Sequence, residues 1–187
     1  MFSDYYDHTS RSYARHKGCE QWEWEAATLA GIVELRQPAN ILEIGSWIGG
    51  TLSLWARANP NAKLISIDNQ TDIELPAQFK HVHMQANSHD PATLTRVKAL
   101  MPAVDFLFID GDHTYAGAKQ DFEMYAPLVR ADGFIAFHDI LDPAPHRNQD
   151  HIRVSKLWRE IQAAGYITTE LIAHPGQEWG GIGVVLL

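Results

Sequence analysis

The stretch Ile41-Leu-Glu-Ile-Gly-Ser-Trp-Ile-Gly-Gly-Thr51 carries the strongest structural signal in the chain. Its apolar first half is typical of a buried strand, and the residues from Thr51 onward are typical of a helix. Glycines between them permit a tight turn and let a ligand approach the backbone without Cβ atoms in the way. A helix N-terminus directs N–H groups and a positive dipole end at such a ligand. The stretch predicts a nucleoside-binding turn, although an ordinary strand–helix turn has the same pattern.

The spacing of the glycines separates this turn from two phosphate-binding motifs. A dinucleotide fingerprint has the pattern G-x-G-x-x-G, and here Trp47 stands at its central glycine, where its bulk would crowd a pyrophosphate. A P-loop requires a lysine after its last glycine, and none follows Gly50. The pattern E-x-G-x-x-x-G-G therefore favours a nucleoside ligand without strong phosphate recognition.

Strand and helix signals alternate along most of the chain. The predicted strands are 41–44, 63–68, 81–85, 104–110, 134–137, 166–173 and 182–187, and the predicted helices are about 20–36, 51–58, 91–101, 115–129 and 154–164. Such alternation predicts a parallel sheet with helices on both faces. The last two strands have no helix between them, which predicts an antiparallel pair.

Composition narrows the class of protein. The 187 residues predict a single domain at 20–187, preceded by a flap or tail at 1–19. A formal net charge of −8 argues against nucleic acid or anionic membrane as a partner. Cys19 is the only cysteine, and neither a signal peptide nor a long apolar run is visible. We expect a cytoplasmic protein that binds a small molecule, with homo-oligomerisation left open.

Polar residues follow the second and third strands, where an open α/β sheet binds its ligands. Asp68 closes the second strand about twenty residues after the turn, which suits hydrogen bonds from ribose hydroxyls. Asn69 follows it, and Ser88 lies beyond the third strand, where small polar residues could line an adenine pocket. A solvated turn acid is the alternative for Asp68.

Acids and histidines follow the fourth and fifth strands. Asp110 and Asp139 would reach the same edge of the sheet, and their oxygens suit Mg²⁺ or another divalent cation. His113 titrates near neutrality and could accept a proton from a substrate hydroxyl. The alternative for both acids is a helix-capping or turn role.

The remaining histidines carry weaker signals. His81 and His83 share one face of a weak strand and are predicted to be surface residues. His146 and His151 lie in a polar loop, where they could contact a substrate.

Taken together, these motifs resemble those of class I S-adenosylmethionine-dependent methyltransferases. The glycine turn looks like their first motif, and Asp68 occupies the place of their ribose-binding acid. Phe108-Ile-Asp-Gly-Asp-His-Thr-Tyr115 and Gly133-Phe-Ile-Ala-Phe-His-Asp-Ile140 are similar to the subgroup of cephalosporin-hydroxylase-like and small-molecule O-methyltransferases. The resemblance implies a Rossmann-like three-layer sandwich whose seven strands run in the order 3-2-1-4-5-7-6, with strand 7 antiparallel.

The resemblance also implies roles for individual residues. The residues expected to hold S-adenosylmethionine are Glu43, Gly45, Ser46, Gly49, Asp68, Asn69, Ser88 and Asp110. In metal-dependent relatives, an acid after the fourth strand and an Asp-Asn pair after the fifth hold Mg²⁺. Asp110 and Asp139 match the first two positions, whereas the third falls on Ile140, which cannot bind a metal through its side chain. His113 lies near the position of a catalytic lysine.

These features predict methyl transfer to an oxygen, or less readily a nitrogen, of a small molecule. His113, with Asp110 or Asp139, would activate the acceptor. The alternative is a non-catalytic module that binds S-adenosylmethionine or S-adenosylhomocysteine. A nicotinamide-dependent oxidoreductase is a second alternative, which Trp47 disfavours.

Overall fold

The computed structural model describes residues 19, 21–69, 73 and 75–187. The predicted flap or tail at 1–19 therefore lies outside the described residues, apart from Cys19. Within the described part of the chain, no helix has the length and apolar character needed to cross a membrane.

Helices and strands alternate as the sequence predicts. The helices are α1 Glu23–Arg36, α2 Gly50–Ala58, α3 Pro91–Leu100, α4 Tyr115–Tyr125 and α5 Val154–Ala163. The strands are β1 Asn40–Ile44, β2 Lys63–Asp68, β3 Lys80–Gln85, β4 Val104–Ile109, β5 Val129–His138, β6 Ile167–Leu171 and β7 Ile182–Leu186. Most boundaries agree with the predicted ones to within one to three residues.

The seven strands form one sheet in the order β3-β2-β1-β4-β5-β7-β6. Strands β1 to β5 pair in parallel, while β7 runs antiparallel to both β5 and β6. The predicted fold class is confirmed, including the reversed strand. β5 begins earlier than expected because Val104 pairs with Val129, after which the register shifts through the Asp132-Gly133 segment.

Two hydrophobic cores cover the two faces of the sheet. On one face, α3, α4 and α5 pack residues such as Val97, Tyr125 and Trp158 against the strands. On the other face, α1 and α2 contribute residues such as Leu29 and Trp55. Alternate side chains of one strand enter opposite cores, which explains why its sequence is apolar without interruption.

Gly45 brings the ends of β1 and β4 into direct backbone contact. Between these two strand ends, the Asp110 N–H donates to the Ile44 carbonyl at 2.8 Å. On the other side, the Gly45 N–H donates to the Ile67 carbonyl of β2 at 2.8 Å. A Cβ atom on Gly45 would lie only 2.1 Å from the Asp110 carbonyl oxygen, and the residue has φ +82°. Only glycine tolerates both conditions, so the need for glycine here is first a packing requirement between two strands.

We expect Gly45→Ala to destabilise the fold more than Gly165→Ala does. Gly165 has a similar φ of +85°, but nothing lies within 4 Å of the point that a Cβ would occupy, so it serves as a control for backbone strain alone. The control should cost about 1–2 kcal/mol, and the clash at Gly45 should add about 1–3 kcal/mol. Urea denaturation of both variants measures the difference. Equal losses would show that the contact with Asp110 imposes no constraint.

Candidate active site

Two neighbouring cavities open at the carboxyl edge of the sheet. The larger, of about 590 Å³, lies across the ends of β1, β2, β3 and β4 and includes Asp68, Asn69 and Ser88 in its wall. The smaller, of about 310 Å³, lies between β1, β4, β5 and the segment after β5, and includes Ser46 and Asp139. The sequence-predicted residues at the strand ends are thus brought together at one edge.

Four residues line both cavities: Gly45, Trp47, Asp110 and His113. They form the boundary at which a molecule in one cavity would meet a molecule in the other. Trp47 is 46% exposed and has φ +41°, which is uncommon for a residue with a side chain. The boundary therefore includes the bare backbone at Gly45, the exposed Trp47 ring, and two ionisable side chains, those of Asp110 and His113.

The turn after β1 is braced by its own hydrogen bonds. The Trp47 N–H donates to Asp68 Oδ2 at 2.7 Å, and the Gly49 N–H donates to the Ser46 carbonyl at 2.7 Å. Together with the Gly45 N–H bonded to Ile67, these amides are engaged within the protein, which differs from the expectation of free N–H groups at the turn. Asp68 consequently holds the turn in shape as well as lining the larger cavity.

Glu43 lies beneath the turn and lines neither of these cavities. Its carboxyl group is fully buried and accepts hydrogen bonds from Thr51 Oγ1 at 3.0 Å and Trp55 Nε1 at 2.5 Å. Burial raises the pKa of Glu43 from 4.5 to about 8, even though these hydrogen bonds act in the opposite direction. The structure therefore places Glu43 as an anchor between β1 and α2, and direct contact with a ligand stays a prediction.

Gly49 likewise lies away from both cavity walls. It adopts φ +83°, and a Cβ there would lie 2.7 Å from Ile73 Cγ2. The positive φ angle and the nearby Ile73 side chain explain why a glycine occupies this position.

Asp110 and Asp139 both line the smaller cavity, and a nitrogen atom lies near each of their four carboxylate oxygens. Asp110 Oδ2 accepts from Gln21 Nε2 at 2.6 Å, and Asp139 Oδ2 lies 2.6 Å from His113 Nδ1. The Nδ1 atom of His138 lies 3.1 Å from Asp110 Oδ1 and 3.6 Å from Asp139 Oδ1. Asp139 has φ +61°, a strained conformation of the kind that functional sites often retain.

Neighbouring charges and hydrogen bonds shift the pKa values of His138, His113 and Asp139. Burial alone would lower the pKa of His138, but the charges of Asp110 and Asp139 outweigh it and raise the pKa to about 9. The hydrogen bond that His113 donates to Asp139 raises the pKa of His113 above its usual 6.5. For Asp139, burial acts to raise the pKa, but the two histidines outweigh it and lower the pKa.

The histidines outside this group have different surroundings. His81 and His83 are half-buried, and a ring nitrogen of each lies 2.8 Å from Ser66 Oγ, so these partly exposed residues have a partner within the protein. His151 lines the smaller cavity. His146 does not line it, and its exposed ring lies 3.3 Å from Glu178 Oε2.

Several cavity residues were not predicted from the sequence. His138 belongs to the motif at 133–140 and directly precedes Asp139 at the end of β5, but the motif alone predicts no role for it. Gln21, Gln149 and Trp179 come from segments far from the strand ends. Of these residues, only His138 could have been found from the sequence. It is a polar residue at the end of an otherwise apolar strand, and such a residue needs a polar partner.

The residues predicted to hold a metal lie close together. Asp110, His113 and Asp139 each offer a ligand atom within 4.8 Å of the other two, as a shared cation would require. However, three of the four carboxylate oxygens already accept a hydrogen bond from a nitrogen, and His138 Nδ1 lies 3.6 Å from the fourth. Ile140 at the third position is buried and apolar. In this arrangement the acid pair does not fit a divalent cation.

Comparison with known proteins places this site in a family. A family model described as "Methyltransferase domain" matches residues 42–140, which include the glycine turn and both acids. This chain belongs to that methyltransferase family. The family assignment confirms the resemblance to class I S-adenosylmethionine-dependent methyltransferases.

One curated relative and two solved structures extend this comparison. The uncharacterised protein R132 of Acanthamoeba polyphaga mimivirus is 31% identical in an alignment of 139 residues, and the match covers 67% of this chain and 62% of that protein. The O-methyltransferase from Bacillus cereus in complex with SAH superimposes with a TM-score of 0.69 at 18% identity, over 99% of this chain and 94% of that one. The MycE methyltransferase of the mycinamycin pathway, in complex with Mg, SAH and mycinamycin VI, gives 0.68 at 18% identity, over 99% and 53%. At these identities, the two structures support the methyltransferase fold.

The buried anchor of the methyltransferase turn makes stability depend on pH. Because the pKa of Glu43 is raised from 4.5 to about 8, the folded chain binds more protons than the unfolded chain between these values. The contribution of Glu43 to stability is therefore lost as the pH rises through this window, at up to about 1.4 kcal/mol per pH unit.

Glu43→Gln should remove this component, since an amide does not titrate. The difference in unfolding free energy between wild type and variant, measured by urea denaturation at several pH values, should favour the variant increasingly from pH 5 to 8. Parallel curves over that range would show that Glu43 is ionised in the folded protein.

Proposed function

We propose that this protein transfers a methyl group from S-adenosylmethionine to an oxygen atom of a small hydroxylated molecule. The observation that carries the proposal is the meeting of two cavities at Gly45, Asp110 and His113. One cavity has the place and size for a nucleoside-containing methyl donor. The other contains an imidazole–carboxylate pair of the kind that accepts a proton from a hydroxyl group.

The larger cavity fits S-adenosylmethionine, which supplies a methyl group already activated by a positively charged sulfur. At about 590 Å³, its volume lies within the range of small-molecule sites. Asp68, Asn69 and Ser88 line this cavity. In this proposal Asp68 and Asn69 accept hydrogen bonds from the ribose hydroxyls, and Ser88 contacts the adenine. Gly45 leaves the backbone bare at the boundary, so that the sulfur end can approach the second cavity.

Proton removal from the acceptor is assigned to His113. Its Nδ1 is engaged by Asp139 at 2.6 Å, which leaves Nε2 to face the cavities that the ring lines. When the acceptor oxygen attacks, Nε2 takes the hydroxyl proton, and the methyl carbon exchanges its bond to sulfur for a bond to oxygen. The products are a methyl ether, S-adenosylhomocysteine and a protonated His113.

Positioning supplies most of the rate enhancement in this proposal. Alignment of two reactants in near-attack geometry can lower the barrier by roughly 7–11 kcal/mol. The acceptor cavity of about 310 Å³ is bounded on one side by the segment that follows β5. That segment is fixed to the site, because the Arg153 N–H donates to the His113 carbonyl at 2.8 Å.

The first test separates methyl transfer from passive binding. We expect S-adenosylhomocysteine to bind the wild type in calorimetry, and a mass screen of small phenols and sugars to reveal products heavier by one methyl group. His113→Ala should bind S-adenosylhomocysteine normally but lose about 10²- to 10⁴-fold in kcat, the usual contribution of general base catalysis.

His146→Ala is the matched control, since this exposed histidine lies outside the cavity wall. It should retain full activity. Binding of S-adenosylhomocysteine without any methylated product would support a binding module instead. Failure of the wild type to bind it would contradict the whole proposal.

The second test uses the pH dependence of kcat/KM. His113 acts as a base only when it is neutral, and its hydrogen bond to the Asp139 carboxylate raises its pKa above 6.5. Activity should therefore rise with pH, with a midpoint above 6.5. Asp139→Asn removes the carboxylate and should shift that midpoint toward lower pH, together with a lower maximum rate. An unchanged midpoint would show that protonation of another group causes the loss of activity at low pH.

A further inference from the structure

A buried imidazole occupies the space between the two acids of the acceptor site. The His138 side chain is only 5% exposed. Its Nδ1 lies within 3.1 Å of Asp110 Oδ1 and within 3.6 Å of Asp139 Oδ1, so a single ring nitrogen faces one oxygen from each acid. A cation shared by the acids would have to compete with this nitrogen for carboxylate oxygens.

A third acid lies near the other side of this imidazole. Glu25 on α1 is fully buried, and its charge interacts with that of His138. Glu25 Oε1 accepts from Gln177 Nε2 at 2.5 Å, whereas Glu25 Oε2 and His138 Nε2 are both buried without a hydrogen-bond partner among the described residues. The ring thus lies among Asp110, Asp139 and Glu25, and two further histidines, His113 and His151, interact with Asp139.

The backbone holds the ring in this position. His138 is the last residue of β5 and pairs with Ile182 of the antiparallel strand β7. A Cβ on Gly180 would lie 3.5 Å from His138 Nε2, so that segment closes against the ring. A metal ion between the acids would have to displace an imidazole that the strands and this segment hold in place.

We propose that His138 takes the place of a divalent cation between Asp110 and Asp139, so that the acid pair works without a metal and becomes a metal site only when this imidazole is replaced. The remaining two oxygens are engaged by Gln21 and His113. Coordination by Mg²⁺ or Mn²⁺ requires carboxylate lone pairs, which are hard oxygen ligands. Here nitrogen atoms of Gln21, His113 and His138 occupy a lone pair on three of the four oxygens.

His138 is therefore a positioning residue that acts through Asp139. Two carboxylates side by side repel each other unless a positive group lies between them. With the imidazole in place, Asp139 keeps its negative charge and its hydrogen bond to His113 Nδ1. This catalytic part rests on the methyl transfer proposed above, whereas the effect on metal binding does not.

Mn²⁺ provides a direct probe, because its free aqueous form gives an electron paramagnetic resonance signal that is lost on binding. Wild-type protein should leave this signal unchanged at micromolar to submillimolar concentrations. His138→Glu removes the imidazole and adds a carboxylate beside Asp139, and it should bind Mn²⁺ at least about tenfold more tightly than wild type. Adding Asp110→Asn to this variant should abolish the gained binding.

Activity provides a second readout once an acceptor is known. The wild type should be unaffected by EDTA, whereas His138→Glu should be slow in EDTA and recover in part when Mn²⁺ is added. A merely structural role for His138 would not produce this recovery. His138→Asn keeps an N–H donor without the charge, and it should reduce activity without gaining Mn²⁺ binding.

Wild-type measurements alone can overturn the inference, even if His138→Glu fails to fold. Tight Mn²⁺ binding by the wild type that Asp110→Asn abolishes, or activity lost in EDTA and restored by Mg²⁺, would show that the acids hold a metal after all. Neither result would disturb the proposed methyl transfer. That proposal fails only if S-adenosylhomocysteine does not bind or no methylated product forms.

Discussion

The close contact between Gly45 and the Asp110-Gly111 backbone is the constraint on which the site depends. It joins the ends of two neighbouring parallel strands so closely that a Cβ atom would lie 2.1 Å from a carbonyl oxygen. Because of this contact, the glycine turn and the first acid share one wall, and the two cavities meet there. Asp68 and Glu43 then fix the turn from opposite sides, one through the Trp47 N–H and the other through α2.

Charge balance is the second organising feature. Two acids and two histidines converge on the acceptor side, and each acid keeps a nitrogen partner. Three of these four residues come from the ends of β4 and β5, which the parallel pairing places side by side. Ionised side chains can be buried at this edge of the sheet because oppositely charged partners lie at the ends of the adjacent strands.

The sequence predicted the sheet well, because strand periodicity and glycine turns are local signals. It also placed Asp68, Asp110, His113 and Asp139 at one edge, since parallel strands end together. The partners of these residues could not be predicted in the same way. Gln21 contacts an acid 89 residues away. Glu43 lies in a ligand-binding motif, but only the packing of Trp55 reveals that its carboxyl points into the core.

The segment between β5 and α5 has its own attachments to the site. The Leu141 N–H bonds to the Gly180 carbonyl, the Ala144 N–H to the Glu178 carbonyl, and the Arg153 N–H to the His113 carbonyl. These attachments adjoin the smaller cavity, while Asp68, Asn69 and Ser88 line the larger one. Under the proposed function, sequence change in this segment would alter which acceptor is recognised while the donor cavity stays intact, a division that would let one scaffold diversify by loop replacement alone.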